Sequence, residues 1–238
     1  MKTTFIAHRG FSGKYRENTS EAFREAVKAG FGGIETDIRV TLDGYLVCCH
    51  NSEARYQDDT ILEVSDHTLA ELQATPLYNP FTSTDLRLCT FKEYLEICKE
   101  GGIIAVIELK GSFTEEKIRE VFETADSILG LENCQLQSFH EENLEKAHAQ
   151  FPMLTIVYTC DGNEPYIRTC LEKGFMIAAN KWGLTQETVD AFHAKAIPVD
   201  GWTVNDLENL KRMREIGCDF VESDLFSSYA ILDEENPA

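Results

Sequence analysis

Positive charge is what this sequence has least of. Its 238 residues carry 22 Lys and Arg against 41 Asp and Glu, a net of −19 at pH 7. Proteins that bind nucleic acid use Lys and Arg to displace counterions from phosphates. A chain this acidic therefore reads as one with no nucleic acid partner, and it gains nothing from an anionic bilayer either. No apolar run approaches the roughly 20 residues needed to cross a membrane. No amphipathic membrane helix stands out, and the opening MKTTFIAHRG holds no apolar stretch of signal-peptide length. These absences set the expectation of a cytoplasmic protein with no stable membrane association, a monomer or a homodimer. The eight cysteines contain no Cys-x-x-C pair, which excludes a zinc-finger framework; they read as small apolar core residues kept reduced. Repeats, low-complexity tracts and interdomain linkers are lacking too, so residues 1–238 read as one domain.

What is present is a strand-helix rhythm. Strand-like runs fall at Thr3–His8, Gly33–Val40, Tyr45–His50, Ile103–Leu109, Cys134–Ser138, Leu154–Thr159, Met176–Ala179, Ile197–Thr203 and Phe220–Ser223. Helical patterns lie between them, at Ser20–Ala29, Thr114–Leu129, Glu141–Ala149, Pro165–Lys173, Thr185–Ala194 and Asp206–Ile216, with a further capping-box start at Thr90. One pair breaks the rhythm. Only Thr41-Leu42-Asp43-Gly44 separates Gly33–Val40 from Tyr45–His50, too short for a parallel crossover, and Asp-Gly signals a hairpin. Counted as one barrel strand that folds back past the rim, the pair leaves eight parallel strands. The expected fold is an α/β TIM (β/α)₈ barrel with a β-hairpin extension. A small rim insertion at about 52–88 is polar, with one short helix at Leu69–Leu72. The acidic tail Asp233–Ala238 is expected to fray.

The chemistry-bearing residues collect at strand ends. Glu35 and Asp37 are two apart on a strand and share a face, with Ile34 and Ile38 on the other. Two carboxylates about 5 Å apart repel by about 3 kcal/mol at an effective dielectric of 20. Inside a barrel they need a proton or a cation. With Asp43-Gly44 as a two-residue turn, the register sets Asp37 opposite His50, so Glu35, Asp37 and His50 fall on one side of the ribbon. Glu108 and Lys110 share a face at the end of the next barrel strand, and His8 and Arg9 end the first. Three carboxylates without nitrogen or sulfur ligands suit a hard divalent cation, Mg²⁺ or Ca²⁺. Two histidines suit an acid/base pair, and Arg9 and Lys110 supply local positive charge. Together these groups point to cleavage of a phosphodiester.

In this order, His8-Arg9-Gly10, Glu17-Asn18-Thr19, Ala22-Phe23, Glu35-x-Asp37, Thr41-x-Asp43-Gly44, Val47-x-x-His50, Glu108-x-Lys110, Ser138-Phe139 and Trp202-Thr203-Val204-Asn205 resemble the glycerophosphodiester phosphodiesterase family. The resemblance implies a divalent cation on Glu35, Asp37 and Glu108, and His8 and His50 as acid and base. It also implies phosphate contacts from Arg9 and Lys110, and a small-molecule glycerophosphodiester as substrate. Glu17, Phe139 and Trp202 are candidates for the substrate subsite, with helix capping or barrel packing as the competing roles. A phospholipase-like enzyme on the same barrel and a non-catalytic phosphate-binding barrel are the alternatives.

Three departures from the family pattern stand out. Asn51 follows the second histidine where Asp is usual, Arg55-Tyr56-Gln57 replaces an Arg-Thr-Thr stretch, and Ser223-Asp224-Leu225-Phe226 stands where the family's closing motif is Thr-Asp-x-Pro. The middle departure bears on substrate preference, because the rim segment is expected to touch the alcohol moiety.

Overall fold

Short buried strands followed by capped amphipathic helices recur from end to end in the computed structural model, which describes residues 3–82 and 84–227. In chain order the elements are β1 (Thr4–Ala7), α1 (Ser20–Lys28), β2 (Gly33–Val40), β3 (Leu46–Cys48), β4 (Glu53–Arg55), β5 (Ile61–Glu63), α2 (Leu69–Leu72), α3 (Phe91–Gly101), β6 (Ile104–Leu109) and α4 (Glu115–Leu129). They continue with β7 (Cys134–Ser138), α5 (Glu141–Gln150), β8 (Thr155–Cys160), α6 (Glu164–Lys173), β9 (Met176–Asn180), α7 (Gln186–His193), β10 (Val199–Trp202), α8 (Leu207–Glu215) and β11 (Phe220–Ser223). The tail Asp233–Ala238 lies outside the described residues.

The sheet runs β1-β11-β10-β9-β8-β7-β6-β2 and closes through a β1–β2 pairing, every neighbour parallel. This is the expected eight-stranded barrel, with β3 added antiparallel to the end of β2. Strand alternation splits each strand between two environments. Ile34, Ile38, Ile107 and Leu109 face the helix layer and join Phe23, Tyr94 and Phe122 in one core. Glu35, Asp37, Glu108, Gln137, Asp200 and Glu222 are buried as well, and the alternation directs them into the barrel. Helix starts are fixed repeatedly by one device: Thr19, Thr68, Thr90, Thr114, Thr185 and Asp206 each accept a first-turn amide proton. At Thr90 the box is half made, since the Glu93 carboxylate turns to Cys89 Sγ. All eight cysteines are buried and unpaired. Among the described residues no helix is long and apolar enough to cross a membrane.

The hairpin register differs from the sequence expectation by one residue. Ile38 pairs Cys48 and Val40 pairs Leu46, so Asp37 lies opposite Cys49, whose amide donates to the Asp37 carbonyl at 2.9 Å. Thr41 and Tyr45 close a three-residue loop of Leu42, Asp43 and Gly44, with Gly44 at φ +87°. Tertiary contacts overrode the two-residue turn. The Leu42 amide donates to the His67 carbonyl, and Asp43 Oδ1 accepts from Thr41 Oγ1 and the Leu69 amide. A one-residue slip reverses the faces of a ribbon, so ladder register does not bring His50 to the acids; another contact has to.

The rim insertion is also more ordered than its polarity suggested. β4 and β5 form a small antiparallel hairpin. Val47, Cys49, Ala54, Tyr56, Val64, Leu72, Leu77 and Leu88 pack beneath it as a separate cluster. Strands of three residues are too short to show a period.

Candidate active site

Glu35, Asp37 and Glu108 are brought together by β2 and β6, where Asp37 and Glu108 are register partners. A ligand oxygen from each lies within 4.8 Å of the others, and all three residues are at most 7% exposed. Oxygens bound to one Mg²⁺ or Ca²⁺ sit at most about 4–5 Å apart, twice the metal–oxygen distance. The spacing fits. Glu35 Oε2 accepts the Arg9 amide at 2.8 Å, whereas Oε1 is buried with no partner among the described residues. An orphaned carboxylate oxygen beside two further carboxylates is the donor set of a hard cation.

Electrostatics say the same. Burial, then the charges of Asp37, Glu222 and Glu108, push the Glu35 carboxyl well above the usual range, against the pull of Arg9. Glu108 is raised to about 7, chiefly by burial, with Lys110 opposing and Asp37 adding. Burial raises Asp37 too, but Lys110, Arg9 and the Asn18 amide outweigh it, and its carboxyl lies below the ordinary value. Behind the triad, Glu222 accepts from Gln137 Nε2 at 2.6 Å. Fully buried Asp200 is raised well above the usual carboxyl range by desolvation and then by Glu222, and neither of its oxygens has a hydrogen-bond partner among the described residues.

Arg9 and Lys110 are the cations of the site. Lys110 Nζ lies 2.6 Å from Glu108 Oε1 and 2.9 Å from Asp37 Oδ1. Arg9 reaches Asp37 at 3.4 Å and Glu17 at 3.0 Å. Its backbone is in the left-handed region at φ +57°, followed by Gly10 at φ +80°. A Cβ on Gly10 would sit 2.8 Å from Ala22 Cβ, so only glycine lets the β1 end turn back under α1 and carry Arg9 over the acids. Asn18, at φ +55°, locks this turn. Its amide donates to Asp37 Oδ2 at 2.7 Å, its carbonyl accepts from Thr36 Oγ1 at 2.7 Å, and its backbone amide donates to the Arg9 carbonyl at 3.0 Å.

The two histidines are held differently. His8 Nδ1 lies 2.7 Å from Asp224 Oδ1. Asp224 also accepts from Ser12 Oγ at 2.8 Å and from Asn205 Nδ2, and these contacts with His8 outweigh its burial and pull its carboxyl down to about 2. An ionised carboxylate only accepts, so His8 Nδ1 carries its proton and Nε2 is left for chemistry. His50 Nδ1 faces the neutral Asn51 Oδ1 at 3.0 Å. Burial, then Arg9 and Lys110, lower its pKa against the opposing pull of Asp37 and Asn51. Arg39 does what register does not: its guanidinium donates to the Cys49 and His50 carbonyls and fixes the chain where it leaves β3. His50 then lines one crevice with Glu17 and Asn18.

Phe139 and Trp202 meet edge to face at 6.0 Å, and Lys110 Nζ stands 5.8 Å from the Phe139 ring, so Phe139 borders the cations of the site, while the Trp202 indole N–H donates to the Ala178 carbonyl at 2.9 Å. The other histidines are engaged elsewhere: His67 with the Glu63 carbonyl, His148 against Phe175 and His193 with Asp219, while His140 begins α5. In the rim stretch expected to meet the alcohol, the contacts of two variant residues are made within the insertion. Tyr56 is buried and bonds the Leu72 carbonyl, and Arg55 stacks on Tyr78. Asn18, Arg39, Asp224, Asp200 and Glu222 are the residues whose roles sequence reasoning did not assign.

Comparison with known proteins agrees. Residues 8–226 match the model of the glycerophosphoryl diester phosphodiesterase family. A glycerophosphodiester phosphodiesterase of Bacillus altitudinis is 31% identical over 237 residues, covering 93% of this chain and 94% of the relative. The crystal structure of a glycerophosphodiester phosphodiesterase from Thermotoga maritima superposes with a TM-score of 0.79 at 26% identity, covering 98% of this chain and 99% of that one. An Oleispira antarctica phosphodiesterase, solved with the product sn-glycerol-3-phosphate, shares the fold at a TM-score of 0.83 and 23% identity, over 93% of this chain and 92% of that one.

Proposed function

The chain belongs to the glycerophosphoryl diester phosphodiesterase family and is a phosphoric diester hydrolase; from that premise we propose that it cleaves soluble glycerophosphodiesters to an alcohol and sn-glycerol 3-phosphate, with His50 as base and His8 as acid. The observation that carries the reading is the meeting of Glu35, Asp37 and Glu108 beside Lys110 and Arg9. Three carboxylates against two cations leave one negative charge, which repels a phosphodiester; a divalent cation reverses the sign. Glu35, Asp37 and Glu108 would hold it, Mg²⁺ or Ca²⁺, and when bound it supplies charge stabilisation at the phosphate.

The protein's own groups do the rest. Arg9 and Lys110 clamp the non-bridging phosphate oxygens and stabilise the charge that grows on them in the transition state. His50, kept neutral by burial and by those same cations, takes the proton of the attacking hydroxyl or water at Nε2. His8, entering the step as the imidazolium paired through Nδ1 with the Asp224 carboxylate, delivers its Nε2 proton to the departing alkoxide and is left as the neutral Nδ1–H imidazole. Phe139 and Trp202 flank the glycerol carbons, and Glu17 holds Arg9 in place.

The reading is tested by incubating the protein with glycerophosphocholine and with phosphatidylcholine vesicles, with and without EDTA. Cleavage of the soluble diester alone, stopped by EDTA and restored by Mg²⁺ or Ca²⁺, is the expected result. Cleavage of the phospholipid would favour an interfacial enzyme, and cleavage of neither a binding barrel.

A further inference from the structure

Beside the acids, a groove of about 360 Å³ runs outward from Lys110 between the end of β2, the loop after β6 and the rim insertion. Lys110 is shared by the groove and the site, so an arm attached to phosphorus at the clamp has this groove next to it. The insertion lines this groove through Ser52, Glu63, Val64 and Ser65. Two of the charges lining it are uncompensated. Among the described residues no carboxylate lies within 4.0 Å of the Arg39 guanidinium, and none of its recorded bonds uses Nη1. Likewise no cation pairs with Glu63 among the described residues; its carboxylate accepts only from Ser52 Oγ, at 3.2 Å. The other lining cations are already paired, Lys110 with Asp37 and Glu108, Lys117 with Glu120. In a chain of net −19, a guanidinium left without an acid is a feature that a ligand explains.

From these groups we infer that the groove seats the leaving alcohol and selects an arm bearing both a carboxylate and an ammonium group, the chemistry of a serine headgroup. Arg39 Nη1, the guanidinium nitrogen not spent on the Cys49 and His50 carbonyls, meets the carboxylate in a charge-assisted hydrogen bond. Glu63 meets the ammonium, and the Ser112 hydroxyl adds a further donor and acceptor. A choline arm offers no anion to Arg39 and no N–H to Glu63. A polyol arm meets both groups only as neutral hydroxyls.

This rests on the hydrolase reading above, and its test separates the two. kcat/KM is measured for glycerophosphoserine, glycerophosphoglycerol and glycerophosphocholine in the presence of Mg²⁺ or Ca²⁺, for wild type and for Glu63→Gln. The serine diester should be preferred over the choline diester by at least about tenfold, and Glu63→Gln should lower its ratio to glycerophosphoglycerol several-fold, the part of the preference that Arg39 does not supply. A choline diester cleaved as well as the serine diester overturns the inference and leaves the hydrolase reading standing. So does a serine preference over glycerophosphoglycerol that Glu63→Gln leaves unchanged. Should the substitution prevent folding, the wild-type order of the three substrates decides alone. If no diester is cleaved, the hydrolase reading falls and the inference with it.

Discussion

Glu35→Gln is expected to lower kcat on glycerophosphocholine by at least about 10³-fold while the fold survives. The side chain is isosteric, so packing in β2 is kept, and the amide oxygen still accepts from the Arg9 amide. What disappears is one of the three carboxylates that converge within 4.8 Å. Without it the balance of charge at the phosphate changes, and the buried oxygen that lacks a partner no longer calls for a cation. Stability should move the other way. Glu35 is held well above the usual carboxyl range by burial and by Asp37, Glu222 and Glu108, so removing its charge relieves repulsion in the metal-free protein. A melting temperature equal to or above wild type, with turnover lost, separates a chemical role from a structural one. Activity within tenfold of wild type would show that Glu35 is not part of the reaction centre.

Next in size is His8. Loss of the imidazole in His8→Ala should cost about 10²–10⁴ in kcat, the usual range for a positioned acid or base. Asp224→Asn should cost less, because it leaves the ring in place but exchanges an obligate acceptor for an amide that can present N–H to Nδ1 and turn the tautomer over. The two changes act on one unit, so adding Asp224→Asn to His8→Ala should cost nothing further. Additive losses in the double variant would mean that Asp224 acts through something other than His8.

His8 and Asp224 also show where sequence reading stops. They are 216 positions apart, and only barrel closure between β1 and β11 makes them neighbours. The fold itself was legible, because buried strands such as Gly33–Val40, Cys134–Ser138 and Phe220–Ser223 keep a local signature and follow helices whose starts are capped by Thr19, Thr114 and Asp206. The acids were legible because a period of two on β2 and β6 dictates their face. The hairpin register was not, since the hydrogen bonds from Leu42 to His67 and from Leu69 to Asp43 come from the rim insertion and carry no local pattern. Arg39 was passed over for a related reason. On a strand it reads as a solvated charge, and its grip on the Cys49 and His50 carbonyls depends on where the chain goes after β3. Asn18 stood in a motif already noticed, but beside a helix start its amide is indistinguishable from a cap until Asp37 is seen 2.7 Å away.

The central claim is that Glu35, Asp37 and Glu108 hold a hard divalent cation, and thermal unfolding with EDTA or with Mg²⁺ or Ca²⁺, at pH 5 and pH 8, tests it most directly. A carboxyl raised in the folded state stabilises below its unfolded pKa and loses that contribution as pH rises through the folded value. For Glu108 that window runs from the ordinary 4.5 to about 7, and Glu35 shifts in the same direction. Asp37, lowered, gives up its contribution only below 3.8 and does not oppose them here; His50, lowered from 6.5, does oppose them in this window, one group against the two raised carboxyls. The metal-free protein should therefore weaken between pH 5 and pH 8, while a cation that needs ionised carboxylates binds more tightly over the same range. At about 100 times its Kd the cation should raise Tm by about 5–10 °C at pH 8, by much less at pH 5, and not at all in Glu35→Gln. A Tm that ignores divalent cations at pH 8, or rises equally at both pH values and in the variant, would contradict the account.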